Sequence, residues 1–183
     1  MDYKMLEKII DGKKVSSKIR EKIKKFGDIL KEESGRTPGL AVVLVGENPA
    51  SKVYVKNKIE KTEEVGFKSI EHKLSKDVSE EKLLSIVKEL NNDDKVQGIL
   101  VQLPLPNHIN ADLVLDSIKP IKDVDGFHAE NVGKLWSGLN SLVPCTPLGC
   151  SLLLRQLNSD LSGKNAVIIG RSNIVVSPWL LYC

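Results

Sequence analysis

The chain has 183 residues, enough to bury one good core and to begin a second. Hydrophobic residues make up 41% and charged residues 28%, the mix of an ordinary soluble globular protein, which excludes disordered and fibrous classes. The net charge of +3 is small, and the amino-terminal basic residues (Lys13, Lys14, Lys18, Arg20, Lys22, Lys24, Lys25) interleave with Glu21 and an apolar stripe, so they read as a solvated helix face and not as a nucleic-acid footprint.

Val15, Ile19, Ile23, Phe26 and Leu30 recur every three or four residues and predict one helical face, which Gly35 and Pro38 bring to an end. The run Leu40 to Gly46 (LAVVLVG) is continuously apolar and rich in valine, as expected of a strand buried on both faces of a parallel sheet. A polar turn, Glu47-Asn48-Pro49, leads into a helix expected from about Ala50 to Val65 and ended by Gly66. Then come a strand near Phe67 to Leu74, a helix from Ser79 to Leu90 and a strand from Gly98 to Gln102. The order is βαβαβ, which predicts an α/β fold on a parallel sheet.

After Gln102 the chain changes character, because LPLPNHIN and VPCTPLG are rich in proline and sit at the ends of expected elements. Leu148 to Leu157 reads as a helix, Asn165 to Gly170 (NAVIIG) as another buried strand, and Arg171-Ser172-Asn173 as a polar turn. A boundary near Thr146 to Gly149 divides the chain into a nearly complete first domain, 1–147, and the beginning of a second, 148–183.

Tyr54 and Lys58 are four residues apart and so project from one face of the second helix. A phenol beside an amine makes a proton donor and acceptor pair, and partial burial disfavours the charged ammonium. On spacing alone, a surface lysine beside an amphipathic tyrosine is the blander alternative. Gln102 ends a buried strand at the carboxyl edge of the sheet, where ligands of open α/β sheets bind. Its amide can hold a lysine or a substrate without adding charge, or simply satisfy backbone groups at the strand end. In KDVDG, Asp123 and Asp125 place two carboxylates on a loop closed by Gly126. Such a loop can be only a turn or a calcium ligand, but a carboxylate can also take paired hydrogen bonds from an amino-substituted heterocycle.

The Tyr-x-x-x-Lys spacing is similar to that of short-chain dehydrogenases, but chain order argues against that class. There a glycine-rich nucleotide loop precedes the pair, whereas the turn after LAVVLVG reads Glu-Asn-Pro, an acid where a pyrophosphate would lie.

VGENPASKVYVKNKIEKTEEVGF, GILVQLPLP, KPIKDVDGFH, NVGKLWSG, VPCTPLG and GKNAVIIGRSNIV, in that order, resemble the signature blocks of the bifunctional methylenetetrahydrofolate dehydrogenase/cyclohydrolase family. The resemblance runs from about Ile9 to Val175. It implies an amino-terminal folate domain with a parallel sheet, followed by a Rossmann-type domain that is incomplete here, and a cleft between them for folate and NADP. It further implies oxidation of a methylene bridge to a methenyl cation and hydration of that cation to a formyl product. Carried over by motif, Lys58 is the proton-transferring residue, Tyr54 stacks on or orients the folate, Gln102 holds Lys58, and Asp125 anchors the pterin. Gly170, Arg171 and Ser172 lie where the family meets NADP. Cys145, in PCTP, has no paired base in the sequence and reads as a wall residue of the cleft.

Two departures bear on the dehydrogenase step. Where the family continues with glycine and a basic residue, this chain reads Ile174-Val175-Val176-Ser177-Pro178, so a branched side chain stands at the helix start facing the cofactor. The chain also reaches only Cys183, short of a two-domain length, and the family's homodimer region is expected in the part not present. A second reading is therefore a truncated pseudoenzyme or folate-binding fragment with cyclohydrolase activity only, or none, its NAVIIG strand lacking sheet neighbours.

Three cysteines, Cys145, Cys150 and Cys183, with no CxxC pair, fit a reducing, cytoplasmic setting. No segment has the continuous apolar length of a signal peptide or a membrane span. His72, His108 and His128 lack metal-ligand spacing, so no metal is expected.

Overall fold

A computed structural model describes residues 9–157, 160–163, 165 and 167–172. The βαβαβ order is present: β1 Gly39–Val45, α2 Pro49–Glu64, β2 Lys68–Leu74, α3 Glu80–Asn92 and β3 Gly98–Val101, preceded by α1 Gly12–Ser34. The three strands pair in parallel in the order β2-β1-β3, with Gly39 opposite Lys68 and Leu40 opposite Gly98. Local chemistry sets the helix starts. Asn48 accepts from Ser51 N ahead of Pro49, and Ser79 accepts from Lys82 N, each satisfying an amide that the helix cannot.

Alternation along the strands divides the core in two. Ala41, Val43, Val45, Ile99 and Val101 face one way and pack with Leu83, Val87 and Leu90 of α3. Val42, Leu44 and Leu100 face the other way and pack with Val55 and Ile59 of α2 and with Val124. The strand β1 is thus buried on both faces, as its unbroken apolar run predicts.

Beyond β3 the chain passes through the cis Leu103–Pro104 peptide, then α4 Ala111–Asp116, a 3-10 turn Pro120–Lys122, α5 Ala129–Trp136 and α6 Cys145–Leu154. Asp123 makes a parallel bridge with Ile99, so the KDVDG loop lies beside β3.

The stripe on α1 forms a helix face as expected, and no residue of α1 is buried, with Phe26 71% exposed. Several expectations are corrected. The helix expected from Leu148 to Leu157 begins earlier, at Cys145, because Pro144 can stand at its start without losing a needed amide, and it ends at Leu154. It runs unbroken across 147/148, so the two parts of the chain are joined there through a helix. The buried strand expected at Asn165 to Gly170 is absent from its described residues: Val167 is 88% and Ile169 95% exposed, and no neighbouring strand is paired with them. An apolar run becomes a buried strand only when a sheet neighbour takes its backbone hydrogen bonds. Among the described residues no helix is long and apolar enough to cross a membrane.

Candidate active site

Gln102 immediately follows β3 and shares the side-chain parity of Leu100, which puts it toward α2. Its backbone amide extends the sheet ladder by donating to Val43 O at 2.9 Å. Lys58, three residues after Val55 on the sheet-facing side of α2, reaches it: Lys58 Nζ donates to Gln102 Oε1 at 3.2 Å. The amide is held in turn, since Gln102 Nε2 donates to Leu103 O at 2.7 Å. This fixes which end of the side chain is oxygen and aims an acceptor at the amine.

The third member arrives from the KDVDG loop. Val124 packs against the α2 side of the sheet so closely that a Cβ on Gly98 would lie 2.4 Å from its Cγ1. Asp125 follows, half-buried. Burial raises its pKa above the usual carboxylate range, the nearby Lys58 charge opposes the rise, and Asp123 adds to it. A half-buried carboxyl close to an amine, with a neutral amide holding that amine, is a constellation for binding a polar heterocycle and moving a proton beside it.

The PCTP segment closes over the same loop. Gly126 has φ +69, and a Cβ there would meet Pro144 N at 2.8 Å and Leu142 O at 3.0 Å. Cys145 Sγ lies 3.5 Å from Val124 O as a weak donor. Cys145 is exposed as a residue, but desolvation around its sulfur raises the thiol pKa, Asp125 raises it further and Lys58 opposes the rise.

Not every expected residue is gathered. Tyr54 projects from α2 but is 62% exposed and takes no part in the Lys58–Gln102 hydrogen bond. The two carboxylates of KDVDG separate in role. Asp123 is only 1% exposed, and its Oδ2 accepts from His128 N at 2.8 Å and Asn131 Nδ2 at 2.9 Å, so it is a structural anchor. Gly170, Arg171 and Ser172 lie exposed and belong to no helix or strand among the described residues. The departure at Ile174 to Pro178 lies outside the described residues.

A model of the tetrahydrofolate dehydrogenase/cyclohydrolase catalytic domain matches residues 10–125, more than half of the chain and the whole of the sheet. The chain belongs to the tetrahydrofolate dehydrogenase/cyclohydrolase family. The model of that family's NAD(P)-binding domain matches residues 144–182. A curated relative, bifunctional protein FolD 2 of Roseobacter denitrificans, is 56% identical over 174 residues, 95% of this chain and 58% of the relative. The crystal structure of the bifunctional FolD enzyme of Campylobacter jejuni superposes with a TM-score of 0.91 at 51% identity, covering 94% of this chain and 61% of the other. The FolD structure from Trypanosoma brucei, complexed with NADP and an inhibitor, also reaches 0.91, at 34% identity over 95% of this chain and 60% of the other. The chain thus spans about 58% of the length of the curated FolD relatives it matches.

Residues that sequence reasoning left without a role tie the KPIK turn to α3. Lys119 Nζ donates to Asn91 O at 3.1 Å, and Lys122 Nζ donates to Leu90 O at 3.2 Å and Asp93 O at 2.9 Å. The two lysines of KPIK therefore cap the carboxyl end of α3, where free carbonyls collect. Burial and the neighbouring Lys119 charge lower the Lys122 pKa. Their spacing ahead of KDVDG was visible, but their carbonyl partners lie some 30 residues away along the chain.

Proposed function

We propose that this chain acts in folate one-carbon interconversion, with 5,10-methenyltetrahydrofolate hydrolysed at the site built by Lys58, Gln102 and Asp125. The observation that carries the reading is the hydrogen bond from Lys58 Nζ to the oriented Oε1 of Gln102, beside the half-buried Asp125. In the hydrolysis, Lys58 Nζ takes a proton from water as the water oxygen bonds to the methenyl carbon. It then returns a proton to the departing ring nitrogen as that C–N bond breaks. One proton is released overall, and the product is the 10-formyl compound. Gln102 keeps the amine aimed without adding charge, which suits a cationic substrate. Asp125 is the acceptor for the amino group and ring N–H of the pterin, and Tyr54 supplies an aromatic face at the open side.

The family reading also includes NADP-dependent oxidation of 5,10-methylenetetrahydrofolate to the methenyl compound. NADP would supply the hydride acceptor, with Gly170, Arg171 and Ser172 as its contacts in this chain. A cyclohydrolase-only reading is favoured by one observation: Lys58, Gln102 and Asp125 are assembled, whereas those three contacts stand exposed. A cytoplasmic location, division into domains 1–147 and 148–183, and a homodimer for full-length relatives complete the reading.

Lys58→Met tests the reading, because it removes the proton-transferring amine and keeps most of the apolar stem. Methenyl hydrolysis should fall by about 10²- to 10⁴-fold. Hydrolysis at the parent rate would remove Lys58 from the mechanism. NADP reduction by the purified chain supplied with methylenetetrahydrofolate separates the bifunctional from the cyclohydrolase-only reading.

A further inference from the structure

The NVGKLWSG block has no part in the chemistry described so far, yet its first residue is one of the most enclosed polar groups in the protein. Asn131 is 3% exposed. From the first turns of α5 its Nδ2 donates twice, to Asp123 Oδ2 at 2.9 Å and to Pro120 O at 2.8 Å. The same Asp123 oxygen accepts from His128 N at 2.8 Å, and Asp123 O accepts from Gly126 N at 3.2 Å. Asp123 also bridges Ile99 of β3. One carboxylate therefore holds both ends of the 123–128 loop, with Asp125 in the middle. A carboxylate buried this deeply needs such donors, and Asn131 is the one that comes from outside the loop.

We propose that Asn131 is a positioning residue for folate binding: its amide clamps Asp123 and thereby sets the loop that presents Asp125 to Lys58 and the pterin. The proposal rests on the folate reading of the site. Asn131 touches neither the reacting carbon nor Lys58, so it acts on how the substrate is held and not on the proton-transfer step. With the clamp released, the buried Asp123 carboxylate keeps the backbone His128 N as its donor, the loop gains freedom, and Asp125 loses its fixed aim.

The test compares the parent chain with Asn131→Ala, Asn131→Asp and the exchanged pair Asp123→Asn/Asn131→Asp. Lys134→Ala serves as a control on the same helix, since Lys134 pairs only with Glu130 at the surface. Tetrahydrofolate affinity, the kcat and KM of methenyl hydrolysis, and amide hydrogen exchange across 124–127 are measured. Asn131→Ala should weaken tetrahydrofolate binding and raise KM by about tenfold, the scale of one charge-assisted hydrogen bond, with kcat changed less than about threefold. Asn131→Asp sets two carboxylates against each other and should lose more. The exchanged pair restores a donor and an acceptor and should bind at least about tenfold more tightly than Asn131→Asp. Exchange at 124–127 should quicken in both single variants and not in Lys134→Ala.

An exchanged pair no better than Asn131→Asp overturns the proposal, as does Asn131→Ala with unchanged affinity and unchanged exchange. If the parent chain binds no tetrahydrofolate, the folate reading fails. Loop exchange still decides then whether Asn131 positions Asp125.

Discussion

Gln102→Leu is the perturbation that best separates a site residue from a strand-end residue. Leucine is close to glutamine in volume and leaves the backbone bond from residue 102 N to Val43 O in place. It removes the acceptor 3.2 Å from Lys58 Nζ and the donor 2.7 Å from Leu103 O. A part-buried hydrogen bond to an ionisable partner contributes about 1.5–3 kcal/mol, and each 1.36 kcal/mol is tenfold in rate. If that bond serves to aim Lys58, methenyl hydrolysis falls by about 10- to 150-fold. Gln97 supplies the control. It too makes two side-chain hydrogen bonds, accepting from Gly39 N at 2.7 Å and donating to Asp94 O at 2.6 Å, but at the opposite end of β3. Gln97→Leu and Gln102→Leu should lose comparable stability, about 1–4 kcal/mol for two side-chain hydrogen bonds, in urea denaturation. Only Gln102→Leu should lose hydrolysis, followed through the conjugated methenyl absorbance at saturating substrate. Equal stability losses with full hydrolysis in both would show that Gln102 merely closes the strand end.

Asp125→Asn should be more stable than the parent near neutral pH, because burial raises the folded-state pKa and so penalises the ionised parent carboxylate. That penalty is absent below the ordinary aspartate range and appears as pH rises through the folded pKa. The advantage in urea midpoint should therefore be present at about pH 7 and vanish toward pH 4, and a constant difference would count against it. Gly126→Ala combines a left-handed backbone with a Cβ 2.8 Å from Pro144 N. It should cost about 1–3 kcal/mol in denaturant unfolding and weaken folate binding through the adjacent Asp125. Cys145 should react with iodoacetamide more slowly in the native chain than after unfolding in urea, when followed by peptide mass. Desolvation of its sulfur and the Asp125 charge disfavour the thiolate, and equal rates would contradict that account.

The sheet and its helices were legible in the sequence because their signals are local and agree with one another. An unbroken valine-rich run marks β1, and Asn48-Pro49 and Ser79 mark the starts of α2 and α3. The ordered motif blocks likewise pointed to Tyr54, Lys58, Gln102 and Asp125 and to the family. Relations across distance were not legible. Strand parity, continued one residue past β3, decided that Gln102 faces α2 and meets Lys58, 44 residues earlier. Without the family resemblance, KDVDG offers two equivalent carboxylates, and the arrival of Asn131 and His128 N makes Asp123 the buried anchor and leaves Asp125 half-buried. NAVIIG shows the converse, since its composition is that of a buried strand while the backbone partners that would make it one are not among the described residues. The sequence by itself determined the helices and strands of the βαβαβ unit and which residue types gather at the sheet's carboxyl edge. Tertiary structure decided which of those residues share a hydrogen bond, because a side chain's partner is set by packing between elements and not by its neighbours along the chain.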